Sequence, residues 1–228
     1  MTEIIAIATA DGGTMPAEIA SPALGSGKAI IMVAPIFGIE DGTRDIMEEY
    51  AAKGSVVVTP DMFWRTSPGT LGRDDIGRAK AVERSENFDV DQGVKDLADA
   101  IAHVKAMPQS NGKVAVFGYC FGGRFAYLAA TRLGVDAAVS FHGVAIGQHL
   151  DEADNLACPL AIHVGDQDPV VPMDEIAATK AAIGAKPGVE IRVYPGVAHG
   201  FTGKGRANYD EFADGESNRA AAALIEAM

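Results

Sequence analysis

The stretch Gly118–Arg124 (GYCFGGR) sets a cysteine into the frame Gly-x-nucleophile-x-Gly, whose middle residue is ordinarily serine. The residues before it, Lys113–Phe117 (KVAVF), read as a strand. Phe121–Leu133 reads as a helix that stops at Gly134, a natural C′ residue. Strand, sharp turn and helix are the setting this frame requires. Gly118 and Gly122 ease the crowding in that turn because neither carries a Cβ. The Cys120 side chain then projects above the C-terminal edge of the sheet, where open α/β sheets bind ligands. A helix N-terminus beneath the sulfur favours the thiolate, the reactive form. The chemistry to expect is attack by sulfur on a carbonyl carbon.

Such a nucleophile needs a histidine, and the chain has five: His103, His142, His149, His163 and His199. His103 falls inside a long helical stretch and reads as a packing or surface residue. His163 lies in the apolar run Leu160–Val164 and reads as a satisfied core histidine. His149 sits in a polar stretch and is expected to be exposed. His142 follows the strand Ala137–Phe141 at the functional edge, where it can line a substrate pocket. His199 is the choice for the base: it follows the last strand, in PGVAHGF, on a loop flanked by glycines. In hydrolases built on this turn the chain order is nucleophile, acid, histidine. The acid is then expected in Gly165–Pro172 (GDQDPVVP), where Asp168 is preferred for reach and Asp166 is left to shape the turn. Asp168 would orient the imidazole and stabilise its cation. Two backbone N–H groups must meet the developing oxyanion. One is expected from Phe121, after the nucleophile. The other is expected from Ile36 in APIFGIEDG, since Pro35 has no N–H to give.

Sulfur also restricts the substrate. A tetrahedral intermediate expels its better leaving group, so a thiolate is lost before an ordinary alkoxide. Enolates, phenolates and thiolates can be displaced. A Cys120 enzyme should therefore prefer activated esters.

These residues need a scaffold. Ala29–Ala34, Ser55–Thr59, Lys113–Phe117, Ala137–Phe141, Leu160–Val164 and Glu190–Tyr194 are mostly continuous apolar runs, as parallel strands covered on both faces must be. Glu3–Thr9 and Pro16–Ala20 flank Asp11-Gly12-Gly13, a hairpin signal, so the sheet is expected to begin antiparallel. Helices are expected over Thr43–Lys53, Asp89–Met107, Phe121–Leu133, Asp174–Ile183 and Ser217–Ala227. The polar run Arg65–Arg84 reads as a loop or lid. Alternating strands and helices give an α/β fold with a mostly parallel central sheet and helices on both faces.

The 228 residues suffice for one large domain, and 48% apolar with 22% charged residues is a globular composition. Acidic residues outnumber basic ones 31 to 19, a net charge of −12. That balance argues against nucleic acid or an anionic membrane surface as partner. It leaves room for a small anionic substrate held by one or two arginines. No signal peptide or membrane-spanning run is read, so a cytoplasmic location is expected. Cys158, before Pro159, reads as a buried small apolar residue rather than a disulfide partner of Cys120.

The motifs PIFGI, TPDMFWR, FDVDQGVKDL, NGKVAVFGYCFGG, GDQDPVVP and AHGF, in this order and almost end to end, resemble the dienelactone hydrolase family (carboxymethylenebutenolidases) of the α/β-hydrolase fold. The resemblance implies a single domain over 1–228 and a Cys120–Asp168–His199 triad. It further implies hydrolysis of an enol-lactone or similar ester, with no cofactor and no metal. The partner implied is a small ester or lactone, with the chain a monomer or weak homo-oligomer. It also implies that Arg78 contacts a substrate carboxylate. The chain departs from the family pattern at two positions: Pro35 replaces a glutamate, and Gly203 replaces a second substrate arginine, whose nearest substitutes are Lys204 and Arg206. A hydrolase for another ester class, xenobiotic or carbohydrate, and a thiol redox or binding protein are the rival readings. The second has no use for an acid–base pair.

Overall fold

The computed structural model describes residues 1–23 and 27–228. The chain divides into two compact units, Met1–Val114 and Ala115–Met228.

In the first unit β1 (Glu3–Ala8) and β2 (Thr14–Ala20) form the antiparallel hairpin that Asp11-Gly12-Gly13 signals, with Ala8 opposite Thr14. β2 pairs antiparallel with β4 (Val56–Pro60), and β3 (Gly27–Val33) pairs with β4 in parallel, Ala29 opposite Val56. Every residue of β4 is buried, which is why Val56, Val57 and Val58 run without a polar break. α1 (Asp41–Ala52), α2 (Asp75–Glu86) and α3 (Val90–Ala106) complete this unit. Asp74 and Asp89 cap α2 and α3 by accepting from Gly77 N (2.8 Å) and Gln92 N (3.0 Å). Each cap contributes about 1 kcal/mol. The cap at Asp74 corrects the reading of Arg65–Arg84 as loop: from Asp75 onward it is helix. Its low apolar periodicity hid it, since only Gly77, Ala81 and Arg84 of α2 are buried.

Two motifs far apart in sequence meet here. The buried Asp96 of FDVDQGVKDL accepts from the Trp64 indole (2.8 Å) and from Arg65 Nη2 (2.8 Å), both of TPDMFWR. Gln92 Nε2 donates to the same carboxylate at 3.0 Å. A buried carboxylate needs such a set of donors to be tolerated.

β5 (Ser110–Tyr119) leads into the second unit, where it pairs in parallel with β6 (Ala137–Phe141), β6 with β7 (Leu160–Gly165), and β7 with β8 (Val189–Tyr194). Register aligns the C-terminal ends: Tyr119 faces Phe141, Phe141 faces His163, and Gly165 faces Tyr194. Residues just past these ends therefore collect along one edge. α4 (Phe121–Arg132) is almost wholly buried; α5 (Met173–Ile183) and α6 (Glu211–Ala227) are partly so. α6 begins six residues before the expected Ser217, because Asp210 caps it by accepting from Ala213 N at 2.8 Å. Among the described residues no helix is long and apolar enough to cross a membrane.

Candidate functional site

Cys120 lies between β5 and α4 with φ 55° and ψ −116°, a left-handed backbone that L side chains rarely adopt. Such a conformation costs roughly 1–3 kcal/mol and must be held by its surroundings. Cys120 N donates to Phe141 O (3.0 Å), while Cys120 O accepts from Gly123 N (2.9 Å) and Val144 N (3.2 Å). The end of β6 thus clamps the turn from both sides. A Cβ on Gly118 would enter the carbonyl of Gly122, and one on Gly123 would meet the backbone of Gly143. Gly118 is legible from the glycine frame in the sequence. The Gly123–Gly143 approach is not, because nothing local to either residue announces the other.

His199 and Asp168 lie together on the loops after β8 and β7. His199 Nδ1 is 2.7 Å from Asp168 Oδ2. The Asp168 side chain is fully buried, and its other oxygen accepts from Val170 N (2.8 Å) and Val171 N (3.2 Å). Both carboxylate oxygens are thus committed and the imidazole has one orientation. Asp166 shapes the turn as expected, accepting from Gly196 N at 2.7 Å. Burial opposes a charged His199, but hydrogen bonds and charge from Asp168 and the Cys120 sulfur outweigh it and raise its pKa to about 10.

This shift has a sign that stability can read. With an ordinary unfolded value of 6.5, the folded chain holds a proton that the unfolded chain has lost. The stabilisation is complete below pH 6.5 and is lost as pH rises through about 10. The difference in Tm between wild type and His199→Gln should therefore narrow steadily across that window. A difference independent of pH would refute the shift.

His142, just past β6, is buried against His199, with ring centroids 4.9 Å apart and nearly perpendicular. Its Nε2 lies 3.1 Å from Thr202 Oγ1. Burial first, and the neighbouring His199 second, push its pKa far down, so it is neutral. Its φ of 41° is a second strained position on the same edge. The His142–Thr202 contact was not foreseen; AHGF gave no sign that Thr202 turns inward.

The other sequence expectations fall as follows. His163 is a core residue whose Nδ1 meets the Tyr194 hydroxyl at 2.9 Å. His149 is not exposed: its side chain is 16% accessible, in the 3-10 segment Ile146–Asn155 packed on α4. The polar composition of that segment concealed a helical turn that folds the imidazole inward. Cys158 is half-buried, both cysteines are free thiols, and burial pushes the Cys158 thiol up to about 11. Phe121 supplies the first amide of α4. In the first unit, the Ile36 carbonyl accepts from Arg84 Nε at 2.7 Å. Arg84 also reaches the carbonyls of Ser67 and Gly69, at 2.8 and 2.9 Å, and fixes that loop. Arg78 lies on the exposed face of α2. Lys204 and Arg206 are both exposed, and the Arg206 stem lies over Gly203, where a Cβ would touch its Cδ at 2.8 Å. Among the described residues no cluster of three or more His, Cys, Asp or Glu side chains is arranged to hold a metal ion.

The sequence model of the dienelactone hydrolase family matches residues 15–228. The chain belongs to that family. It is 33% identical over 211 residues to the carboxymethylenebutenolidase of Pseudomonas putida, covering 92% of this chain and 89% of the relative. It is 29% identical over 220 residues to carboxymethylenebutenolidase 1 of Cupriavidus pinatubonensis, covering 96% and 94%. A solved structure from Klebsiella pneumoniae superposes with a TM-score of 0.88 at 23% identity, over 99% of this chain and 98% of that one. A dienelactone hydrolase-like promiscuous phosphotriesterase from metagenomic libraries gives 0.81 at 21% identity, over 99% and 98%. The fold is thus the α/β fold of the dienelactone hydrolases, with a mostly parallel sheet, and the protein is a hydrolase of that family.

Proposed function

We propose that this hydrolase cleaves activated carboxylic esters or enol-lactones through Cys120, His199 and Asp168, by way of a thioester. The observation that carries the reading is His199, held at 2.7 Å by a buried carboxylate and close enough to the Cys120 sulfur for that sulfur to help raise its pKa. The carboxymethylenebutenolidases among its relatives support the substrate class.

The Cys120 thiolate attacks the carbonyl carbon, and the C=O electron pair moves onto oxygen. The Phe121 N–H meets that oxyanion, and the sequence assigns the second donor to Ile36. The intermediate collapses, the C–O bond to the enolate breaks, and His199 gives the departing oxygen its proton. Neutral His199 then takes a proton from water as the water oxygen attacks the thioester. The C–S bond breaks, the carboxylic acid leaves, and thiolate and imidazolium are restored. Asp168 keeps His199 in the tautomer that presents Nε2. His142, neutral and packed on His199, serves as a wall of the substrate pocket. Arg78, with Lys204 or Arg206, is the candidate for a substrate carboxylate. A nucleophilic thiol must stay reduced, which fits a cytoplasmic location.

The test is leaving-group dependence. kcat/KM for an enol-lactone or a 4-nitrophenyl ester should exceed that for the matching ethyl ester by at least about 10³-fold, the range of a lost transition-state interaction. Accumulation of an acylated Cys120 in quenched mass spectra should accompany it. Similar rates for aryl and ethyl esters would sink the thioester route.

A further inference from the structure

Among the described residues two arginines are buried, Arg84 and Arg124. Arg84 spends Nε and Nη1 on three backbone carbonyls, and its Nη2 alone is left over among the described residues. The half-exposed arginines have carboxylates: Arg44 has Glu18, Arg65 has Asp96, Arg73 has Glu40 and Arg132 has Glu152. Arg124 differs from all of these. It is 8% exposed, and among the described residues its Nε has no hydrogen-bond partner. Its guanidinium lies 5.0 Å from the Phe121 ring and 5.5 Å from the Phe125 ring. Ring faces attract a cation but do not satisfy its N–H groups.

Two more unsatisfied groups occur on the same packed surface. Tyr127, one helical turn beyond Arg124, is fully buried, and among the described residues its hydroxyl has no hydrogen-bond partner. His149, on the 3-10 segment packed against α4, has a buried Nε2 that meets no hydrogen-bond partner among the described residues. Two acidic residues stand near this surface, Glu152 and Asp151; Glu152 is already committed, accepting from Arg132 Nε (2.7 Å) and Thr131 Oγ1 (3.2 Å) and standing 3.9 Å from His149 Nδ1. Buried polar groups in native proteins are almost always paired, so three orphans on one surface call for an absent partner. Arg124 stays cationic at any ordinary pH. Burial raises the Tyr127 pKa to about 12, so it keeps its proton to donate. Burial, with Arg124 and Arg132, outweighs the carboxylates of Glu152 and Asp151 and lowers the His149 pKa; the neutral ring offers Nε2–H in one of its two tautomers. A cation and two neutral donors suit an oxyanion.

We propose that Arg124, Tyr127 and His149, between α4 and the 3-10 segment Ile146–Asn155, form a site for a small oxyanion of the carboxylate or phosphate class. Arg124 lies in the first turn of α4, the helix that Cys120 precedes. Burial lowers the Arg124 pKa, and the sulfur of Cys120 acts against that, which places the two within electrostatic reach. The anion can be a free ion or an anionic arm of the substrate. The second source rests on the esterase reading above; the first does not.

Titration calorimetry of the full chain with succinate, and separately with inorganic phosphate, at constant ionic strength made up with chloride, tests binding. Saturable binding is expected, weakened at least tenfold by Arg124→Met and several-fold by Tyr127→Phe. Circular dichroism checks folding, and Arg124→Lys replaces Arg124→Met if the latter unfolds. The second arm compares kcat/KM for 4-nitrophenyl hydrogen succinate and neutral 4-nitrophenyl butyrate. A fall of at least tenfold in that ratio with Arg124→Met identifies the anion as part of the substrate. An unchanged ratio with lost calorimetric binding identifies a free anion. The proposal is overturned if the ratio is unchanged and neither probe binds, or binding survives both substitutions. Should the chain hydrolyse no ester, the calorimetric arm alone decides, and the two failures stay distinct.

Discussion

Cys120→Ala is expected to hydrolyse 4-nitrophenyl acetate at least about 10³-fold more slowly than wild type under multiple turnover, the scale on which residues acting as one catalytic unit are lost. Multiple turnover matters because any reactive thiol accepts one acetyl group. The size of the effect follows from the mechanism: without sulfur no covalent intermediate forms, and His199 loses one of the two partners that hold its proton. Alanine can also adopt the backbone at position 120 (φ 55°) no worse than cysteine, so a folding defect is not the expected cause. Cys120→Ser separates nucleophile from geometry. The frame around position 120 ordinarily holds serine. A serine there would expel alkoxides about as readily as it is expelled. The aryl-to-ethyl ester ratio should therefore shrink in Cys120→Ser even if both rates fall. An Ala variant that turns over at wild-type rate would remove Cys120 from the reaction.

The sequence exposes whatever is written in local periodicity or in chain order. β6 matches the expected Ala137–Phe141 at both ends, because a five-residue apolar run buried on both faces has no polar residue to blur it. The Cys120 elbow, and the closeness of Asp168 to His199, were legible for a related reason. Consecutive parallel strands put the loops after β7 and β8 at one edge, so order along the chain becomes proximity in space. Hidden features are those that depend on what a side chain meets across the fold. α2 was missed because its one large buried side chain is an arginine, which no hydropathy pattern scores as core. The polar neighbours of His149 in sequence suggest exposure and do not reveal a 3-10 segment packed on α4. Gly123 and Gly143 belong to the same class: each is fixed by the other's backbone, about twenty residues away.

Asp168→Asn should lower kcat by roughly 10²–10⁴-fold, the range known for the corresponding change in serine triads. The geometry here explains why so small a change is so costly. Asp168 Oδ1 accepts from Val170 N and Val171 N, so an asparagine would keep its carbonyl oxygen there and turn its NH₂ toward His199. At 2.7 Å a donor must then face Nδ1, which forces His199 to carry its proton on Nε2 instead. That nitrogen faces Cys120, and a neutral imidazole so protonated cannot take a proton from water in the second half-reaction. The charge of Asp168 that favours imidazolium is lost as well, so the His199 pKa should drop from about 10. Two measurements separate this from a packing defect. Deacylation, followed in single turnover, should slow more than acylation, because a thiolate can attack without a base and water cannot. The proton on His199, followed by NMR titration, should be released at lower pH than in wild type. Equal slowing of both steps with an unmoved titration would assign Asp168 a structural role only.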